Sequence, residues 1–141
     1  MSKDAEIARC NQRILTTNSQ ISSTESTIAT YKTKLEALKK AYEAMKTNKS
    51  DFKDKKKSLS QLQRSADTSW SGNLFNTKYD KPLEDLISDV NDVIGKIDDN
   101  LDRINNKIND YENKIMQKES FLGGLYSVLN SLWGQLENLF N

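Results

Sequence analysis

Residues 67–82 read DTSWSGNLFNTKYDKP and stand near the midpoint of the 141-residue chain. Two long periodic segments stop at this stretch, which contains Gly72, Pro82 and several side chains that favour turns and helix caps, the composition of a loop. We expect Trp70 to pack on the ends of the flanking helices, because its large apolar face has to be covered. The sequence therefore predicts two helical arms that leave one central loop.

The composition favours long helices over a thick globular core. Only 35% of the residues are hydrophobic and 29% are charged, and the chain has five Gly and one Pro. A net charge of +1 provides no general attraction for nucleic acid or for a membrane. Cys10 is the single cysteine, so an intramolecular disulfide is excluded.

The first arm, about residues 2–66, has apolar residues at every seventh position. One series is Ile7, Ile14, Ile21, Ile28, Leu35 and Tyr42, and the other is Cys10, Thr17, Thr24, Tyr31, Leu38, Met45, Phe52 and Leu59. Two such series form the seam of a coiled coil. The Thr-rich residues 16–30 have lower helix propensity, so we expect any fraying there.

The Lys-rich residues 51–57 are interpreted as a solvated helix face, in preference to a nucleic-acid patch.

The second arm, about residues 82–141, has the cleaner seam. Its two series are Ile87, Ile94, Leu101, Ile108, Ile115, Leu122, Leu129 and Leu136, and Val90, Ile97, Ile104, Tyr111, Lys118, Leu125, Leu132 and Leu139. Pro82 suits a first helical turn, with Asp80 before it as a candidate cap. The seven-residue register holds across Gly123-Gly124, and the sequence leaves open whether the helix is continuous there.

Two arms of similar length around a central loop predict an all-α fold, an elongated antiparallel helical hairpin resembling a coiled coil. The whole chain, residues 1–141, is then one domain with its loop at about residues 67–81. Residues 1–66 contain 14 Lys+Arg and 7 Asp+Glu, a balance of +7, and residues 67–141 contain 7 and 13, a balance of −6, which together give +1. A basic arm beside an acidic arm favours pairing within the chain, although exposed ion pairs are weak.

The C-terminal part of the second arm has more apolar residues than one seam needs. Beside the seam, a flank of aromatic residues recurs every seven positions, and a two-helix hairpin cannot fully cover it. The predicted partner-binding residues are Leu122, Leu125, Tyr126, Leu129, Leu132, Trp133, Leu136, Leu139 and Phe140. A partner helix is the leading interpretation. Self-association is an alternative, and membrane binding is disfavoured because the polar face of this segment has no Lys or Arg.

The sequence offers no catalytic or metal-binding pattern. It contains no His, one Cys and no glycine-rich phosphate loop. We therefore expect a protein that is not an enzyme, with no metal site and no cofactor, whose function depends on a surface.

The central loop resembles the turn of the WXG superfamily of small helical proteins in type VII secretion. The motif is Trp70-Ser71-Gly72, followed by Phe75 and Tyr79. The chain looks most like the helical proteins encoded beside LXG-domain toxins in Gram-positive bacteria. Its arms are longer than in the founding members of the superfamily. It also lacks their Tyr-x-x-x-Asp/Glu export motif, since neither Tyr111 nor Tyr126 has an acidic residue four positions on.

The resemblance implies a non-enzymatic adaptor that binds the N-terminal helical domain of an LXG toxin and assists its export. Other small helical proteins are further candidate partners, and nucleic acid is not expected as one. A self-associating structural coiled coil and a secreted membrane-active toxin component are the alternatives. We expect the protein in the cytoplasm before export. The N-terminus lacks the apolar core of a signal peptide, so any secretion would not involve signal cleavage.

Overall fold

The computed structural model describes residues 2–69 and 80–141. Helix α1 comprises Lys3–Ser69 and helix α2 comprises Lys81–Phe140, and the two pack against each other as a helical hairpin with no strand among the described residues. The all-α hairpin prediction is therefore confirmed. The predicted loop motif of Trp70, Gly72, Phe75 and Tyr79 lies outside the described residues, as does the predicted packing of Trp70.

Ser2 caps the start of α1. The Ala5 amide donates a hydrogen bond to Ser2 Oγ at 3.1 Å, and the Glu6 amide donates to the Ser2 carbonyl at 3.0 Å. Asp4 and Glu6 lie in the first turn, where carboxylates interact favourably with the positive end of the helix dipole. Pro82 lies in the first turn of α2, where an amide hydrogen would have no partner within the helix.

Helix α1 is continuous through the Thr-rich residues 16–30. Several threonine hydroxyls there donate to the carbonyl four residues earlier, as Thr24 does to Gln20 at 2.8 Å and Thr27 to Ser23 at 3.0 Å. Such a bond satisfies the hydroxyl without leaving the helix. Helix α2 is likewise continuous through Gly123 and Gly124, which settles the question that the sequence left open.

The two helices contribute to two compact units, the terminal unit (Met1–Ala37 with Ile108–Asn141) and the loop unit (Leu38–Lys107). In the terminal unit, the seam residues of both helices are buried or half-buried, and Thr17 and Thr24 are among the buried ones. A core cluster of Cys10, Ile14, Leu132 and Leu136 lies near the chain ends, with partly buried Ile7 and Leu129 packed against it. The Cys10 thiol donates to the Leu132 carbonyl at 3.2 Å, so even its polar atom is satisfied.

Further along the terminal unit, an aromatic pair replaces aliphatic packing. The rings of Tyr31 and Tyr111 lie 5.7 Å apart between centroids and are tilted by 58°. The Lys114 ammonium lies 5.9 Å from the Tyr31 centroid and 5.1 Å from that of Tyr111, within reach of a cation–π interaction with both. The two half-buried tyrosines thus pack against each other in the seam, with Lys114 beside both rings.

Among the described residues of the loop unit, Leu83, Ile97 and Leu101 are buried. Lys49 occupies a seam position and forms an ion pair with Asp98 at 2.5 Å. Asp80, a candidate cap in the sequence, accepts a hydrogen bond from the Gln63 amide at 2.9 Å across the two helices. The Lys49–Asp98 pair joins a cation of α1 to an acid of α2, as the charge balance of the arms predicts.

Candidate partner-binding surface

The nine residues predicted to bind a partner divide into two groups. Leu125, Leu132 and Leu136 are buried, Leu122, Leu129 and Leu139 are half-buried, and Tyr126, Trp133 and Phe140 are exposed. The six leucines therefore belong to the seam that α2 shares with α1. The three aromatic residues, here called the aromatic stripe, keep 43%, 52% and 67% of their surface accessible.

Helix geometry explains why the stripe stays uncovered. Each member directly follows a seam leucine, and one residue corresponds to a turn of about 100° around the helix axis. Tyr126 follows Leu125, and Trp133 follows Leu132. Because of the turn of about 100°, the aromatic side chains point away from the contact that the leucines make with α1. Because the spacing is seven residues, the three aromatics lie in one row along the same flank.

One member of the stripe is tied to α1. The Tyr126 hydroxyl donates a hydrogen bond to a carboxylate oxygen of Glu25. This hydrogen bond, with smaller contributions from desolvation and from the charge of Glu25, raises the pKa of Tyr126 above its ordinary value of 10.0. The hydroxyl end of Tyr126 is therefore joined to the first helix.

Other exposed apolar residues lie elsewhere on the terminal unit. Phe121 and Val128 of α2 are 52% and 42% exposed. They share a second row seven residues apart, on the other side of the seam from the stripe. Leu15 of α1 is 63% exposed, and sequence reasoning did not single it out. The sequence feature that could have indicated its exposure is that Leu15 directly follows the seam residue Ile14 and is not itself part of the heptad pattern.

A polar cleft also opens on the terminal unit. Its volume is about 520 Å³, and it is lined by Glu6, Arg9, Cys10, Arg13, Gln135, Asn138 and Leu139. Arg13 also lines a smaller cleft with Val128, which places the arginines on the flank away from the stripe. The terminal unit thus has an aromatic flank and a basic flank.

The loop unit has an apolar groove of its own. Its volume is about 520 Å³, and its lining includes Phe52, Leu59, Leu62, Leu86 and Val90. Leu62 and Leu86 are 48% and 47% exposed at its edges. Phe52, Leu59 and Val90 belong to the seam that the heptad pattern predicts, but no sequence pattern indicates a groove beside them.

The described part of the chain shows no group of three or more His, Cys, Asp or Glu side chains arranged to hold a metal ion. Within the same residues, neither helix contains a segment long and apolar enough to cross a membrane.

The model of the YwqH-like family matches residues 12–133, and this range is most of the chain. The chain belongs to the YwqH-like family. The matched range includes seam residues of both helices and two members of the aromatic stripe, Tyr126 and Trp133, whereas Phe140 lies beyond it. No curated protein and no solved structure is significantly similar to this YwqH-like chain.

Proposed function

We propose that this YwqH-like protein is a non-enzymatic helical adaptor that binds the N-terminal helical domain of an LXG-type effector and assists its export by a type VII secretion system. YwqH-like proteins are tied to LXG toxin systems, which supports that context. The resemblance of Trp70-Ser71-Gly72 to the WXG turn supports the same assignment.

The observation that carries the proposal is the exposure of the aromatic stripe beside a filled seam. Leu132 is 1% exposed and its neighbour Trp133 is 52% exposed, so the hairpin is packed without the stripe. Aromatic residues at the centre of an interface commonly contribute most of its binding energy. A partner helix laid along the stripe would pack against both helices and complete a larger helical bundle.

Self-association is the second candidate function, since a second copy would also cover the same three aromatic side chains. It predicts a dimer of the isolated chain. Light scattering during size-exclusion chromatography separates the two candidates, because the adaptor is expected to be monomeric until its partner is added.

Co-purification tests the adaptor function. The chain is co-expressed with the LXG domain of an LXG-type effector from the same organism, with an affinity tag on the LXG domain. Removing both anchors in Trp133→Ala, Phe140→Ala should weaken the complex about 30-fold or more, which corresponds to at least ~2 kcal/mol. The matched control is Phe121→Ala, Val128→Ala, which removes exposed apolar side chains from the opposite flank and should leave the complex intact. Equal recovery of all three proteins, or no recovery of the wild type, would refute the proposal.

A further inference from the structure

The aromatic stripe faces a definite row of side chains on α1. Within the terminal unit, Tyr126 hydrogen-bonds to Glu25, and the Lys32 ammonium lies 3.4 Å from a carboxylate oxygen of Glu119. The two pairs are seven residues apart on each helix and run in opposite directions, as antiparallel helices in register require. Seven residues further along α2, and seven residues back along α1, Trp133 lies level with Asn18. A second step of the same size places Phe140 level with Asn11.

The side chains of this α1 row are exposed, small or medium-sized, and uncharged. They are Ala8, Asn11, Leu15, Asn18 and Ser22. Together with the aromatic stripe they form what we call the aromatic groove. Its side on α2 consists of large aromatic side chains, and its side on α1 consists of smaller ones. A groove between two helices with one low wall suits a third helix, which packs about 8–10 Å from each neighbour.

The two charged side chains that border the aromatic groove, Glu25 and Glu137, are both acidic. Residues 121–141 of α2 contain a single charged side chain, Glu137, and Glu25 closes the row on α1. Glu137 forms no ion pair with the described residues. Between residues 8 and 25 of α1 the cations are Arg9 and Arg13, which line the cleft on the opposite flank. Lys32, one step beyond Glu25 on the row, is paired with Glu119.

We propose that the aromatic groove binds an amphipathic helix whose apolar face is bordered by Lys or Arg. This inference rests on the proposed function, because that helix would be the segment of the effector that the adaptor recognises. Tyr126 and Phe140 are 14 positions apart, about 21 Å along a helix, so the contact takes about 15 residues of the partner. The basic residues meet Glu25 and Glu137 at the edges of the groove. A second copy of this chain does not fit as well, because its own groove would bring two more carboxylates and no cation.

The test uses three synthetic peptides of about 21 residues with one common Leu/Ile face. Lys, Gln or Glu occupies the positions beside that face, and binding to the full chain is followed by the anisotropy of a label on the peptide. The Lys peptide should bind about fivefold more tightly than the Gln peptide, and the Glu peptide more weakly than both. High salt should remove the difference, since exposed charges are screened.

Charge reversal at one residue assigns the preference to this groove. In Glu137→Lys the order of the Lys and Glu peptides should invert, while Arg13→Glu on the opposite flank should leave the order unchanged. Equal binding of the three peptides, or the same change in both variants, would overturn the inference. The inference would also be overturned if the isolated chain formed a dimer that excludes every peptide and that dissociates in Trp133→Ala, Phe140→Ala. The occupant of the groove would then be a second copy of this chain.

The outcome is separable from that of the adaptor test. If the LXG domain is lost with Trp133→Ala, Phe140→Ala but binds wild type and Glu137→Lys equally, the adaptor function stands and the basic partner helix is refuted. If the peptides show the predicted order and the LXG domain does not co-purify, the groove chemistry stands and the adaptor function is refuted.

Discussion

Leu132 and Trp133 are adjacent in the chain but have opposite environments, since Leu132 is 1% exposed in the core cluster and Trp133 is 52% exposed in the aromatic stripe. One turn of about 100° around α2 separates a residue that stabilises the hairpin from one that is free to contact another molecule. Stability and binding can therefore be perturbed independently at neighbouring positions.

Leu132→Ala should lower the free energy of unfolding by about 2–5 kcal/mol, because it removes a fully buried side chain and leaves a cavity beside Cys10 and Ile14. Urea denaturation followed by circular dichroism at 222 nm measures the loss. Met116→Ala is the control, since Met116 is 66% exposed on the same helix, and it should change stability by less than about 0.5 kcal/mol. Similar losses in the two variants would contradict the burial of Leu132.

Thr24→Val should raise the stability of the hairpin. Thr24 is 7% exposed at a seam position, and its hydroxyl bonds only to the Gln20 carbonyl of its own helix. Replacing the hydroxyl by a methyl group adds apolar burial and leaves the backbone bond of that carbonyl in place, a gain of about 0.5–1 kcal/mol. The melting temperature should rise by about 2–4 °C.

The control for Thr24→Val is Thr30→Val, at an exposed position whose hydroxyl makes the same kind of bond to Ser26 at 3.1 Å. It should not raise the melting temperature. A gain of equal size in the control would assign the effect to helix propensity, and no gain at Thr24 would show that its hydroxyl contributes more than the added methyl.

The sequence predicted the seam well because a seven-residue repeat directly determines which face of a long helix is buried. It placed even Thr17 and Thr24 correctly, although neither is hydrophobic. The Ser2 cap was equally predictable, since it depends on neighbours within one turn. Contacts between the helices were not predictable in detail. The bonds of Asp80 to Gln63 and of Tyr126 to Glu25 depend on the register of α1 against α2 and on side-chain conformations that no local pattern records.

The division of the nine candidate residues was only partly accessible from the sequence. The heptad pattern separated the leucine seam from the aromatic flank, but the exposure of each residue depends on how closely α1 approaches. Leu15 shows the limit, because its row becomes part of a surface only once the register sets it beside the aromatic stripe. The partner-binding role of all nine remains a prediction.

The hydrogen bond between Tyr126 and Glu25 should make stability depend on pH in the alkaline range. The folded state raises the pKa of Tyr126, so the stabilisation is fully present below about pH 10, the pKa of an unperturbed tyrosine, and is lost as the pH rises through the higher folded value. Tyr126→Phe should therefore be less stable than the wild type at pH 8. The difference between the two proteins should shrink at more alkaline pH.

Thermal unfolding of both proteins across this pH range measures that difference. Absorbance titration at the tyrosinate band provides an independent check, because subtracting the Tyr126→Phe curve isolates the ionisation of Tyr126. A component centred at or below the ordinary tyrosine pKa would contradict the hydrogen bond. Tyr42→Phe is the control for the general loss of a tyrosine hydroxyl.

Trp133→Ala, Phe140→Ala should leave the isolated hairpin folded and nearly as stable as the wild type. Both side chains are more than half exposed, at 52% and 67%, so their removal opens no cavity and should cost no more than about 0.5 kcal/mol each. At concentrations well above those at which the wild type is monomeric, exposed aromatics in a row promote non-specific association, so the variant should also self-associate less there by light scattering. Circular dichroism at 222 nm and the melting temperature report the fold. A fall of the melting temperature comparable to that of Leu132→Ala would mean that the stripe belongs to the core of the hairpin, and the partner-binding surface would then have to be sought on the flank of Arg9 and Arg13 or in the groove of the loop unit.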